Sequence, residues 1–545
     1  MKKRIKNLMT LFSICALFCV LGCSENFLEE NPTGFVDPAA LVVDKQGAEK
    51  YVVGAYNTVR VIAPSFTGWA SAWGTFATDE IVMPAWGGDT KEIYLHTLSP
   101  SNATIRSIWE DFYVSINQVN SVVDRVSAMT VDQIDIESRD KLVGEARYLR
   151  AMLYFSLVSS FENIPLIKNE TTSIQNLEVS QDPTKDVYDF IVADLLFSEN
   201  VLDAVQGSGR ATKGSAQALL GKVYLQMTGF PLNETDKYAL AEVKLKAVMD
   251  SGVYDLLDFY PDVFSLDHEQ SNEMVFAVGF DGPGLNQGGT LGTFYGPNGQ
   301  VQNGGQAGNN WFVNWELAGN SQDLPEGSGT WGERNNYKFA QGYQENDIRC
   351  RNNIAKHNVN WGPWQPEDGM YNPEARNTVA GWFRPNWKPW KWHNVRPSNW
   401  GTDTPYDYPY IRYADVLLMY SEALNGQDKL TQADIDLTVN RLRARARVFP
   451  TEVQPDTIAP DMVLSGNQDN ADEILSERRK ELCFEGWRRN DLIRFGRYQE
   501  AIKVTQPSWS NSGNPQTQYS DFEIRWPIPT SELQINPKLV PAVGY

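Results

Sequence analysis

From Gln46 to about Asp250, apolar residues recur at intervals of three and four. That spacing lines one face of an α-helix. The stretches AEKYVVGAYNTVRVI, IRSIWEDFYVSINQVNSVVDRV, GEARYLRAMLYFSLVSSF and SAQALLGKVYLQM all carry it. Between Asp281 and Asn399 the periodicity stops, and GPGLNQGG, GPNGQVQNGGQAGNN and GPWQPEDG are rich in turn-forming residues. The helical pattern resumes in YADVLLMYSEALN, in LTQADIDLTVNRLRARAR and in ADEILSERRKELCFEGWRRNDLIRFG. The pattern predicts a mainly α chain with little β. A helical region over 46–280 and another over 401–545 flank a loop-rich insertion at 281–400, and 46–545 is expected to fold as one unit.

Two helical stretches match at an offset of 70 residues. Gly144 aligns with Gly214, Ala146 with Ala216, Leu149 with Leu219, Leu153 with Val223, and Tyr154 with Tyr224. Alternating small, large and aromatic side chains let stacked helices approach closely, and the offset is near twice the about 34-residue tetratricopeptide period. Tetratricopeptide-like helix pairs in a solenoid-like array are expected.

The first residues belong to a different kind of segment. Lys2, Lys3, Arg4 and Lys6 precede a run of apolar residues from Leu8 to Val20, and Val20-Leu21-Gly22-Cys23 follows. A basic start, a short apolar core and a small residue make an export signal, and the run is too short to span a bilayer. A signal ending in Gly-Cys resembles the bacterial lipobox, which implies cleavage after residue 22 and lipidation of Cys23. Residues 23–45, with Glu25, Glu29 and Glu30 near their start, form an acidic tether.

Charge and cysteines narrow the function classes. The 545-residue chain has a formal charge of −20, and losing the four basic residues of the signal takes it to about −24. Such a surface repels phosphate backbones and argues against a nucleic-acid partner. Cys350 and Cys483 are the cysteines left after the signal and the lipidation site. Two are too few for a disulfide scaffold or a structural zinc site; they could pair, although Cys483 sits among apolar helix neighbours and reads as a small core residue.

Catalytic patterns are nearly absent. The four histidines are scattered, and His268-Glu269 lacks the partner that a HExxH zinc site requires. GRATKGS (209–215) lacks the lysine placement of a phosphate-binding loop and reads as a helix start capped near Thr212. Glu477, Glu481 and Glu485 are spaced for one helix face, but the surrounding basic residues point to salt bridges within the helix and to its neighbours rather than to a metal. Asp79-Glu80 is one of several acidic pairs that could serve a glycosidase, whose carboxylates are defined by separation in space. No catalytic residue, metal or cofactor is assigned.

Aromatic residues are the distinctive feature. Ten of the 17 tryptophans lie between Trp311 and Trp400. Sugar rings present flat C–H faces that pack on indoles while their hydroxyls bond to amides and charged groups. NNWFVNWELAGNSQ fits that chemistry best, with Trp311 and Trp315 beside Asn310 and Asn314. Trp331 and Trp86 keep similar company, and Trp382 and Trp387 in GWFRPNWKPWKWH are further candidates. The alternative for each ring is packing in a core or stapling of a loop.

Several stretches together resemble SusD/RagB-type outer-membrane nutrient-binding lipoproteins: GEARYLRAMLYFSLVSSFENIPLI, RATKGSAQALLGKVYLQM, IRYADVLLMYSEALN, ILSERRKELCFEGWRRNDLIRFG and WPIPTSELQINPKL. Cys483 and the tail VPAVGY depart from the family pattern. The resemblance implies a non-enzymatic, lipid-anchored lid on a SusC-like TonB-dependent barrel at the outer membrane. It would capture oligosaccharides, or in some members peptides, and hand them to the transporter. It also implies a stacking role near Trp86 and a scaffold role for Lys391-Trp392. A surface-anchored glycoside hydrolase and a helical protein-binding adaptor remain alternatives.

Overall fold

The computed structural model describes residues 42–545 apart from 63–73, 83–88, 296–311, 314–316, 318–337, 344–346, 356–387, 393–403, 450–459, 505–518 and positions 174, 176, 208, 283, 284 and 286. The described N-terminal half is an array of helices packed on their neighbours. It comprises α1 (Lys45–Ile62), α2 (Thr90–Leu95), α3 (Ala103–Ser127), α4 (Ile136–Phe161), α5 (Thr184–Val201), α6 (Lys213–Thr228) and α7 (Lys237–Asp250). From α3 to α7 each helix packs on the next, as the tetratricopeptide-like expectation requires.

Local chemistry sets the helix starts. Asn102 accepts the Ile105 amide, Asp135 accepts the Ser138 amide, and Thr212 and Ser215 form a reciprocal capping box. GRATKGS is therefore a helix start, as read from the sequence. The repeated glycines permit close packing: a Cβ on Gly144 would lie 2.5 Å from Val201, and one on Gly214 would lie 2.4 Å from the Tyr254 ring. Arg150 of α4 grips Asp194 of α5 with two bonds of 2.7 and 2.9 Å.

The remaining elements are α8 (Leu291–Phe294), α9 (Ile348–Asn353), α10 (Tyr413–Asn425), α11 (Gln432–Leu437), α12 (Val439–Ala446), α13 (Asn467–Leu482), α14 (Arg488–Arg494), α15 (Tyr498–Val504) and α16 (Thr530–Ile535). Helix α10 packs on α7 and α13 on α10, which carries the array into the C-terminal half. The strands are short: β1 (Ile81–Val82), β2 (Met274–Val278), β3 (Phe312–Val313), β4 (Ile354–Ala355), β5 (Lys388–Pro389) and β6 (Tyr408–Arg412). They form three two-stranded antiparallel ladders, β1–β3, β2–β6 and β4–β5. No helix among the described residues is long and apolar enough to cross a membrane.

Two stretches that read as continuous helices are broken. LTQADIDLTVNRLRARAR divides at Thr438, whose backbone (φ −118°, ψ −88°) is not helical and whose hydroxyl bonds back to the Asp434 carbonyl. The second break follows Leu482. There Tyr343 Oη donates to the Lys480 carbonyl at 2.5 Å, and Arg412 Nη2 and Lys391 Nζ donate to the Glu481 carbonyl at 3.1 and 3.0 Å. Cations and hydroxyls thus satisfy the last carbonyls of α13. Phe484 (φ +65°) and Gly486 (φ +88°) then turn the chain away. Glu485 therefore does not share a helix face with Glu477 and Glu481.

A buried ionic core surrounds this helix end. Glu477 takes bonds from Arg349 (2.6 Å) and Arg443 (2.9 Å), and Glu481 from Arg445 (2.6 Å), Arg349 (3.1 Å) and Arg412 (3.2 Å). Glu273 pairs with Arg412 and Arg445 at 2.6 Å each, and Glu485 with Lys391 at 2.5 Å and Arg412 at 2.8 Å. With Asp347 on Arg349 (2.8 Å), five buried carboxylates face five buried cations. Burial favours protonation of Glu481, but Arg445, Arg412 and Arg349 outweigh it and hold the group at about 2.

Cys350 and Cys483 are both buried free thiols. Cys483 Sγ lies 3.3 Å from Tyr343 Oη, and burial pushes its pKa up to about 12. The core reading of Cys483 holds, and the two thiols do not pair.

Two stability predictions follow from this core. Glu481→Gln takes away the carboxylate shared by Arg349, Arg412 and Arg445 and leaves the buried cluster one negative charge short, and a loss of about 3–5 kcal/mol is expected in denaturant unfolding. A loss below 1 kcal/mol would mean that the cluster relaxes freely. Carboxyls with depressed pKa, such as Glu481 and Asp415 (both about 2), stabilise the fold fully above the ordinary range, and this is lost as pH falls through about 2. Carboxyls raised by burial, Asp407 (about 6), Glu269 and Glu523 (about 7) and Glu80 (about 8), lose their stabilising contribution as pH rises through those values. The thermal midpoint should be highest near about pH 5 and fall on both sides; a midpoint still rising at pH 8 would contradict this.

Candidate ligand-binding site

The loop-rich region hangs from two small ladders. In one, Ile81 lies opposite Val313 and Val82 opposite Phe312. In the other, Ile354 lies opposite Pro389 and Ala355 opposite Lys388. Strand β3 also packs against β5, so the ladders are neighbours. Two-residue strands have little stability of their own. Their position must come from what they rest on, and that is the turn from Cys483 to Trp487.

The approach to β1 is fixed to this turn from several directions. The Phe484 amide donates to Glu80 Oε2 at 3.2 Å. Arg488 grips both oxygens of Asp79 at 2.7 Å, and Arg479 donates to the Asp79 carbonyl. The Arg489 amide donates to the Gly74 carbonyl at 3.2 Å. A Cβ on Gly74 would lie 1.9 Å from the Gly486 carbonyl carbon, so the backbone crossing at this point admits only glycine.

The second ladder rests on the same place. Asn353, just before β4, donates from Nδ2 to Tyr343 Oη at 2.9 Å and to Cys483 Sγ at 3.4 Å. Just after β5, the Trp390 amide donates to the Asn353 carbonyl at 2.8 Å. Lys391 donates to the Glu481 and Cys483 carbonyls at 3.0 Å and to Glu485. Trp392 bonds through its amide to the Tyr295 carbonyl, and the Tyr295 ring stacks on Phe484 with centroids 5.5 Å apart. Beyond β3, the Tyr343 amide donates to the Leu317 carbonyl at 3.0 Å.

Trp390 and Trp392 are 1% exposed and Lys391 is fully buried. This end of GWFRPNWKPWKWH is therefore scaffold, as the resemblance implied for Lys391-Trp392. The proposed ligand residues Trp86, Trp311, Trp315, Trp331, Asn310, Asn314, Trp382 and Trp387 lie outside the described residues, as does Cys23. Their attachment points are described. In the sequence Trp86 is four residues past Val82 and Trp311 one before Phe312. Trp315 is two residues past Val313, and Trp387 is one before Lys388. Segments far apart in sequence leave from one small region.

Asp79 and Glu80 are not placed for hydrolysis. Asp79 is fully buried and Glu80 is 2% exposed. Burial would raise the Asp79 pKa, but Arg479 and Arg488 outweigh it and hold it below the usual range. For Glu80 burial wins over the pull of Arg488, and the neighbouring Asp79 adds to it, giving about 8. Both serve as anchors. This role is missing from the sequence reading because the partners lie some 400 residues away. His96 is also buried, and burial followed by Arg489 lowers its pKa to about 3. No group of three or more His, Cys, Asp or Glu side chains able to hold a metal occurs among the described residues.

Comparison with known proteins places this architecture. Residues 272–545 match the model of the SusD family, and residues 67–225 match a model described as starch-binding, associating with outer membrane. A SusD-like protein of Formosa agariphila is 26% identical, over the full length of both chains. A SusD homologue from Bacteroides thetaiotaomicron superposes with a TM-score of 0.72 at 22% identity, covering 95% of this chain and all of the other. A laminarin-binding SusD-like protein superposes with a TM-score of 0.66 at 23% identity, covering 92% of this chain and all of its own. Since the family match runs from just before β2 to the last residue, and so takes in the ionic core and the turn that seats both ladders, this chain belongs to the SusD family.

Proposed function

We propose that the protein is a cell-surface, lipid-anchored glycan receptor of the outer membrane. It captures oligosaccharides on indoles and amides of the loop-rich region, makes and breaks no bond, and passes the ligand to a SusC-like TonB-dependent barrel. The observation that carries this reading is the common seat. Segments bearing Trp86, Trp311, Trp315 and Trp387 start or end at two adjoining ladders that rest on one buried turn. Binding groups on loops held by a rigid scaffold are the usual way of building a selective surface.

Relatives support the ligand class. One matching family model is described as starch-binding and one structural neighbour as laminarin-binding. Trp331 and Trp382, further along the sequence from the ladders, are proposed to extend the surface, with Asn310 and Asn314 bonding to sugar hydroxyls. Cys23 carries the anchor, and more than one acyl chain there gives stable membrane attachment.

Affinity electrophoresis or calorimetry of the mature chain against a panel of polysaccharides tests the reading. Trp86→Ala, Trp311→Ala and Trp315→Ala should each weaken the best ligand at least about tenfold where the ring is central to the site. Unchanged affinity in all three would place the site elsewhere. No reducing ends should appear during incubation. Separately, Cys23→Ser should move the protein from the outer-membrane fraction to a soluble one; retention in the membrane would remove the lipid anchor from this account.

A further inference from the structure

The segment before β1 is held more firmly than a two-residue strand needs. Asp79 is saturated by Arg488 and Arg479, which fixes the chain on one side. Glu80 reaches across to the Phe484 amide, the first amide of the left-handed turn that follows Cys483. Ile81 and Val82 then enter the ladder with Val313 and Phe312. Glu80 is thus the side-chain tie to the turn that lies directly before β1.

We propose that Glu80 is a positioning residue: by holding the Phe484 amide it seats the β1–β3 ladder on the turn after α13 and so sets where the ligand-binding segments begin. The consequence for affinity rests on the glycan-binding reading above, whereas the seating itself does not. The groups facing Glu80 are Asp79, Arg479, Arg488, Cys483 and the Phe484 amide. Burial keeps the carboxyl neutral to about pH 8, with Arg488 opposing and Asp79 adding to the effect. Its stabilising contribution is complete below the ordinary carboxylate range and is lost as pH rises through about 8. Ionisation then places a second buried negative charge beside Asp79.

Hydrogen exchange on the full mature chain, corrected for intrinsic rates, reads the seat directly through the Phe484 amide and the amides of Ile81 and Val82. In the wild type, protection should fall about tenfold from pH 6.5 to pH 9, one unit above the carboxyl's midpoint. Glu80→Gln, which keeps an acceptor but no charge, should show no such fall, and Glu80→Ala should be poorly protected at both values. The β4–β5 amides should not change in any variant. For the polysaccharide that the wild type binds best, affinity should drop in Glu80→Ala and return in Glu80→Gln. Wild-type protection that is flat across pH, or equal in Glu80→Gln and wild type at pH 9, overturns the proposal. Should Glu80→Ala not fold, the wild-type profile and Glu80→Gln still decide. A seat that behaves as expected in a chain that binds no polysaccharide refutes the glycan reading and leaves the positioning role standing.

Discussion

The structure depends on ionic pairing inside a dry core. Glu477, Glu481, Glu485, Glu273 and Asp347 are removed from water together with Arg349, Arg412, Arg443, Arg445 and Lys391. An unpaired ion in such a place costs several kcal/mol even after relaxation. Each charge therefore has to find its partner, and the segment carrying it has to arrive where that partner is. Arg412 shows the effect: one guanidinium bridges Glu273, Glu481 and Glu485 and also takes the Glu481 carbonyl. Strand β6, the end of α13 and the turn beyond it are held in one relation by that group.

The same cluster decides where the loops start. Lys391 serves as an internal cation for the end of α13, and because β5 lies three residues earlier, the second ladder is fixed with it. Asp79 and Glu80 do the same for the first ladder through Arg488, Arg479 and the Phe484 amide. The strands from which the loops leave are thus tied to one buried turn. A scaffold of this kind can carry different loops without changing its core.

The helical array, by comparison, is held by ordinary means. Glycine contacts bring α4 and α6 close to their neighbours, side-chain caps start α3, α4 and α6, and single buried pairs such as Arg150–Asp194 link successive helices. A second charged cluster, Lys222, Arg478 and Arg494 with Asp415, Asp491 and Glu422, joins this array to the C-terminal half. Ionic burial is thus concentrated where segments distant in sequence must meet.

What could be read from the chain alone is what neighbours within a turn or two decide. The three-and-four spacing located the helices and Thr212 announced its own cap, because each rests on contacts a few residues apart, and the offset of 70 residues exposed the stacked pairs because one packing pattern is written twice. The two-residue ladders carry no period, so the sequence shows only a loop-rich stretch where the fold places its loop anchors. The charges of SERRKEL read as salt bridges within the helix and to its neighbours, but their burial and their actual partners, from residues 79, 349, 412, 415, 443, 445 and 491, come only from the fold. Asp79 and Glu80 read as a generic acidic pair until residues 400 positions away give them their role. Local periodicity determined the elements; the need to neutralise buried charge across the chain decided how they meet, and that requirement exists only once the chain has folded.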